Sequence, residues 1–150
     1  MELALAEAKQ AAAEGEVPIG AILVLAGEVI AAAHNRRETD QDATAHAEML
    51  VIQAGCRKLG RWRLSGTTMF VTIEPCPMCA GALVMSRIDR LVYGSPDSRA
   101  GAVESIFNVV QHPALNHRLV VTAGVRQEEC AAVIQAFFRE RRRSAANDNA

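Results

Sequence analysis

Residues 2 to 14 are dense in Ala, Leu, Glu and Lys, and Gly15 interrupts them, which predicts a helix with a defined end. The apolar runs "IGAILVL" and "EVIAAA" flank Ala26-Gly27 and predict two strands of a hairpin. A polar stretch, "HNRRETDQDA", follows. From Thr44 to Leu59 the spacing is helical, with Asp42 or Thr44 as candidate cap and Gly60 as the stop. "TTMFVTI" predicts a strand, "PCPMCAGALVMSR" a helix opened by proline, and "RLVYG" a buried strand. Residues 95–118 carry the weakest pattern, with a short helix placed at 103–110. "LVVTAG" predicts a last strand, and 127–142 an amphipathic helix ending in "FFRERRR". The tail "SAANDNA", residues 144–150, is expected to be disordered. Helices alternate with strands after an initial hairpin, which predicts a three-layer α/β domain around a mixed sheet.

Composition narrows this picture without redirecting it. The chain has 150 residues, half of them hydrophobic and 22% charged, which suits one globular domain that can fold alone. A formal net charge of −1 gives no overall basic field, so any nucleic-acid contact must be a local patch. The N-terminal residues lack the long apolar core of a signal peptide, and no run approaches the ~20 apolar residues of a membrane span. The four cysteines are then better read as metal-binding or catalytic thiols than as disulfides. A cytoplasmic location and no membrane partner are expected.

Two stretches carry chemistry. In "EPCPMC", Cys76 and Cys79 stand three apart at the opening of a helix, which places both sulfurs on one face. A helix N-terminus favours negative charge and lowers thiol pKa values, and Pro75 and Pro77 stiffen the turn. The result is a dithiolate clamp suited to zinc. "TAHAEM" offers His46 as a third ligand. Two residues apart on a helix, side chains diverge by about 200°, so Glu48 is expected beside the metal and not on it. Cys56 lies ten residues beyond His46 on the same helix, about 15 Å of rise, and is excluded as a fourth ligand. Cys130 and His34 stay open as candidates. A lone CxxC also fits a redox pair, and a lone histidine on an apolar helix is commonly a packed one. Three ligands with a carboxylate nearby read most simply as a catalytic zinc with an open position for water.

His-x-Glu at one helix and Pro-Cys-x-x-Cys at another, after an intervening strand, match the signature of the zinc nucleobase deaminases. The chain resembles the bacterial tRNA adenosine deaminase family, of the cytidine-deaminase-like α/β/α fold with a central mixed sheet. The resemblance runs from Met1 to about Arg143, which implies a single zinc-dependent deaminase domain over residues 1–143. Its most specific pieces are "EVPIGA", "HN", "TAHAEM", "VTIEPCPMCAGA", "GAVES", "HPALNHR" and "FFRERRR". It implies one zinc per subunit on His46, Cys76 and Cys79, and a water activated to attack C6 of adenine while Glu48 carries protons. It also implies a homodimer, and an anticodon stem-loop whose wobble adenosine is flipped out and becomes inosine.

Carried over residue by residue, Asn35 hydrogen-bonds the target nucleoside, and Val17, Pro18 and the backbone at Ala47 line its pocket. Asp97 contacts the ribose or a neighbouring nucleotide, Asn116 and Phe138 the target or flanking nucleotides, and Arg139, Arg141, Arg142 and Arg143 the phosphates. Each has a plainer account: Asn35 and Asn116 as loop formers, Val17-Pro18 as a strand start, Asp97 as a turn cap, the arginines as a solvated helix end. Glu74 is read as structural. Pro96 stands where the family often has a basic or amide residue, and Arg99 where it has lysine. A deaminase of free guanine, cytosine or cytidine would share the metal site without needing "HPALNHR" or "FFRERRR". A binding module with a structural zinc would need a fourth ligand.

Overall fold

The computed structural model describes residues 1–148 and is built on a five-stranded sheet. In chain order the elements are α1 (Glu2–Ala13), β1 (Gly20–Leu25), β2 (Glu28–His34), α2 (Arg37–Asp40), α3 (Ala47–Leu59), β3 (Thr67–Ile73), α4 (Pro77–Met85), β4 (Arg90–Ser95), β5 (Val120–Thr122) and α5 (Gln127–Asp148). The strand order is β2-β1-β3-β4-β5. β1 runs antiparallel to β2 and β3, while β3, β4 and β5 are parallel. The sheet is therefore mixed, as the hairpin followed by β-α-β units requires. The hairpin turn places Ala26 at φ 50° and Gly27 at φ 84°, the left-handed pair that suits tightly connected antiparallel strands.

Side-chain alternation along β1 assigns the helices to the two faces. Gly20 lies against α1, where a Cβ would strike the carbonyl oxygen of Ala4. Leu23, of opposite parity, packs on Gly55 in α3. Gly94 of β4 lies so close to Cys130 of α5 that a Cβ would strike its sulfur. Hence α1 and α5 cover one face, and α3 and α4 the other. The core between the sheet and α3/α4 contains Leu23, Val51, Met69, Val71, Leu83 and Leu91, all buried. Each such side chain contributes about 1.5–3 kcal/mol by leaving water.

Four sequence expectations are corrected. Helix α3 begins at Ala47 and not at Thr44. The Thr44 N–H and hydroxyl both donate to Asp42 Oδ1, at 2.8 and 2.7 Å, and this local turn competes with helix. No helix forms at 103–110, because the backbone N–H groups of 103–105 turn inward to a side chain described below. The last strand is confined to Val120–Thr122, and Gly124 at φ 79° turns the chain away. The end of the chain is more ordered than expected: α5 continues to Asp148, since Ser144, Ala145 and Ala146 offer no helix breaker. Asn149 and Ala150 lie outside the described residues.

At the end of β2, His34 ties the sheet to α1. Its Nδ1 lies 2.7 Å from Glu7 Oε2 and its Nε2 3.1 Å from Glu14 Oε2. Burial pulls its pKa down, but the two carboxylates outweigh burial and raise it above the ordinary histidine value. A folded-state pKa above the unfolded one stabilises the fold fully below the unfolded value of about 6.5, and that contribution is lost as pH rises through the folded value. The melting temperature is therefore expected to fall more steeply above about pH 6.5 in the parent than in His34→Gln, which carries no titrating ring. Equal slopes in thermal melts across this range would remove His34 as the source.

Candidate metal centre

The carboxyl end of β3 delivers Glu74-Pro75-Cys76 directly into α4, and the N-terminus of α3 faces it. Neither first ligand is helical. His46 is the N-cap of α3, with φ −75° and ψ 151°, and Cys76 is the N-cap of α4, with φ −72° and ψ 172°. Cys79 stands three residues on, in the first turn of α4 and fully buried, while His46 and Cys76 are half-buried. At the cap and in the first turn, three residues apart, Cys76 and Cys79 share one face of the helix opening, and their sulfurs converge. Two helix N-termini point at the sulfurs and favour their thiolate forms.

His46 Nδ1 lies 3.7 Å from Cys76 Sγ and 3.6 Å from Cys79 Sγ. Tetrahedral zinc with bonds of ~2.3 Å to sulfur and ~2.05 Å to nitrogen requires an N···S separation of about 3.6 Å. The three donors thus already stand at the spacing zinc demands. They are also the one group of three or more His, Cys, Asp or Glu ligand atoms within mutual reach among the described residues. The titration of the pair points the same way. Cys76, accepting hydrogen bonds from Cys79 and His46, is lowered to about 4. Cys79 is driven well up by its hydrogen bond to Cys76 and by burial. A divalent ion supplies the charge that lets both ionise.

Glu48 is buried, 4% exposed, and is not one of the group's three ligands. Burial pushes its carboxyl up to about 7. The divergence expected from two helical residues arises differently. His46 is extended and Glu48 is the second residue of the helix, so the chain turns between them. The two residues left open as fourth ligands are engaged elsewhere. His34 pairs with Glu7 and Glu14, and Cys130 packs on Gly94 across the sheet.

The remaining residues are not gathered at one place. Asn35, 6% exposed at the end of β2, donates from Nδ2 to Glu16 Oε2 at 3.1 Å, and its Oδ1 accepts the Arg37 N–H at 3.4 Å. Ala47 is buried at the first position of α3. A groove of about 730 Å³ at the carboxyl ends of β3 and β4 is lined by Val17, Asp97, Phe138, Arg139 and Arg142, with Pro96 and Arg99 in the same wall. Ligands favour this end of parallel strands. Phe137 turns inward and Phe138 outward, as adjacent helical residues must. Arg141 stacks on Phe137, 5.3 Å from its ring centre, and does not line the groove. Arg143 is exposed outside it, and Pro18 adjoins Val17 without lining it. Asn116 is not brought to the groove. It accepts from Arg87 Nη1 at 2.9 Å, past the C-terminal end of α4, whose opposite end carries the clamp.

Two buried carboxylates organise the surroundings; the sequence reading misses Glu16 and gives Glu74 only a structural role. Glu16, 1% exposed, holds Asn35 and accepts the Thr39 N–H at 2.6 Å. Glu74, 2% exposed, accepts the N–H groups of Asp97, Val103, Glu104 and Ser105 at 2.7–3.1 Å, and the Ser105 hydroxyl. Burial alone would push its carboxyl up, but these bonds outweigh it and hold it down at about 2. The signal available in the sequence was an acid placed immediately before a proline-led metal motif.

Comparison with known proteins agrees with this geometry. The profile of the MafB19-like deaminases matches residues 1–142. A tRNA-specific adenosine deaminase of Bacillus subtilis is 53% identical over 143 residues, covering 95% of this chain and 89% of that protein. One of Agrobacterium fabrum is 49% identical, covering 95% and 93%. Among solved structures, one from work on A-to-I editing by tRNA:A34 deaminases at the wobble position of transfer RNA superimposes with a TM-score of 0.86 at 48% identity, covering 89% of this chain and 96% of that one. A guanine deaminase of Bacillus subtilis is more distant, with a TM-score of 0.62 at 29% identity, covering 92% and 90%.

Proposed function

The chain belongs to the tRNA-specific adenosine deaminases, and we propose that it converts adenosine to inosine at the wobble position of a tRNA anticodon, using one zinc per subunit. The observation that carries the chemistry is the His46, Cys76 and Cys79 group at zinc spacing, with buried Glu48 beside it and no fourth protein ligand among the described residues. Kinship and the arginine-lined groove support RNA as the substrate.

Zinc held by these three side chains supplies a Lewis acid that lets water act as a nucleophile near neutral pH. The two thiolates offset much of the ion's charge, which makes a dedicated proton carrier necessary. Glu48 is that carrier: it takes a proton from the attacking water and delivers protons to the adenine ring and to the departing amine. Asn35, fixed by Glu16, orients the nucleoside, and Val17, Pro18 and Ala47 enclose the base. Asp97 meets the ribose or a neighbouring nucleotide, Phe138 the target or flanking nucleotides, and Asn116, outside the groove, a flanking nucleotide. Arg139 and Arg142 face the groove and neutralise phosphates there, and Arg141 and Arg143 extend the charge along α5. The enzyme is a single deaminase unit over residues 1–143, acts as a homodimer and works in the cytoplasm on the anticodon stem-loop. No helix among the described residues is long and apolar enough to cross a membrane.

Incubation of the zinc-loaded protein with an anticodon stem-loop bearing wobble adenosine is expected to give inosine. Free guanine, cytosine, cytidine and adenosine, run in parallel, are expected to stay unchanged. Turnover of a free base with an untouched stem-loop would instead place the protein with the free-base deaminases.

A further inference from the structure

One wall of the groove is the loop from Ser95 to Arg99. Within it, Asp97 Oδ1 closes a local turn by accepting the N–H groups of Arg99 at 2.9 Å and Ala100 at 3.3 Å. The turn as a whole is tied to the sheet from below. The Glu74 backbone N–H donates to Ser95 O at 2.9 Å. The Glu74 side chain then gathers two separate parts of the loop: Oε2 accepts the Asp97 N–H at 3.0 Å and the Ser105 hydroxyl, while Oε1 accepts the N–H groups of Val103, Glu104 and Ser105 at 2.7–3.1 Å. A carboxylate accepts only, with four lone-pair sites on two oxygens, and here five donors converge on it. Gly101 lies over it, and a Cβ there would strike Oε2. Glu74 also stands two residues before Cys76, and Pro75 O accepts the Ala102 N–H at 2.8 Å.

We infer that Glu74 is a positioning residue for substrate, fixing the Asp97 loop in register with the Cys76–Cys79 clamp so that the nucleotide contacts and the reacting centre are set by one strand end. The inference rests on the proposed role of the Asp97 loop as a nucleotide contact. It differs from a general stabilising role in what it predicts for kinetics. A loosened loop binds RNA less well but leaves the metal, Glu48 and the chemical step in place.

Glu74→Gln separates the two. The amide keeps one oxygen for the amides of 103–105, but presents an NH2 group to the Asp97 N–H, two donors facing each other. The zinc-loaded variant is expected to hold the parent's metal content and to lose hydrogen-exchange protection at the Asp97 amide. KM for the wobble stem-loop should rise on the order of tenfold, with kcat changed less than about threefold. Ser105→Ala removes one donor and is expected to shift KM the same way by about threefold; it carries the test if Glu74→Gln does not fold. Asp97→Ala, measured alongside, tests the premise. If it raises KM while Glu74→Gln leaves KM and the Asp97 exchange rate at parent values, the role of Glu74 is overturned alone. If Asp97→Ala leaves KM unchanged, the loop is not a nucleotide contact and the reading of the site falls with the inference. A fall in kcat or zinc content at constant KM would make Glu74 part of the metal clamp and overturn the inference as well.

Discussion

Glu48→Gln is expected to retain zinc and to lose about three orders of magnitude in kcat on the wobble stem-loop. The substitution keeps the shape of the side chain in a pocket where it is only 4% exposed, so the fold has little reason to change. It removes the capacity to accept and release a proton. Glu48 is not among the three side chains that converge on the metal position, so zinc content measured by atomic absorption should match the parent. The size of the loss follows from the chemistry. Hydrolytic deamination moves a proton from water to the ring and another to the leaving amine, and a positioned general acid–base contributes about 10²–10⁴. Its burial, which raises the carboxyl toward neutrality, suits a group that must both take and give protons near physiological pH. Full zinc with near-parent turnover would remove Glu48 from the chemistry. A zinc-free variant would mean that the ligand set is larger than His46, Cys76 and Cys79.

The sequence made the metal group legible because its information is local. Two helix openings, each with a ligand at or near the cap, carry the geometry in a few residues, and the 3.6–3.7 Å spacings of His46 to the sulfurs follow once the strand between them is placed. The start of α3 was less legible, since Asp42 and Thr44 look like caps and make their own turn instead. That shift moves His46 out of the helix and changes why it and Glu48 part ways. The segment 95–118 resisted reading for a deeper reason. Its backbone is organised by Glu74, more than twenty residues away, and no periodicity along a segment reveals a partner on another element. The same holds for Asn35 and Glu16. The arginine cluster was read as one unit from its composition, whereas helical geometry divides it between the groove, the Phe137 ring and open solvent.

Cys79→Ser should show how much of the protein depends on the clamp. Serine preserves the volume and the first turn of α4, but its hydroxyl does not ionise near neutral pH and is a poor zinc ligand beside a thiolate. Cys79 is fully buried and is one of the three side chains that form the metal group among the described residues, so its loss leaves two of the original ligands. Zinc stoichiometry is expected to drop well below one per chain, and deamination to become undetectable, since the Lewis acid leaves with the metal. A bound ion that the unfolded chain does not hold stabilises the fold by mass action. The parent's melting temperature should therefore fall on chelation, while the variant's should respond far less. Cys130→Ser supplies the contrast. That thiol packs against Gly94 on the other face of the sheet, so its replacement should leave zinc content and the chelator response intact. Should Cys79→Ser keep full zinc while Cys130→Ser loses it, the metal would have to be held on the α5 face of the sheet, and the placement of the centre between α3 and α4 would be wrong.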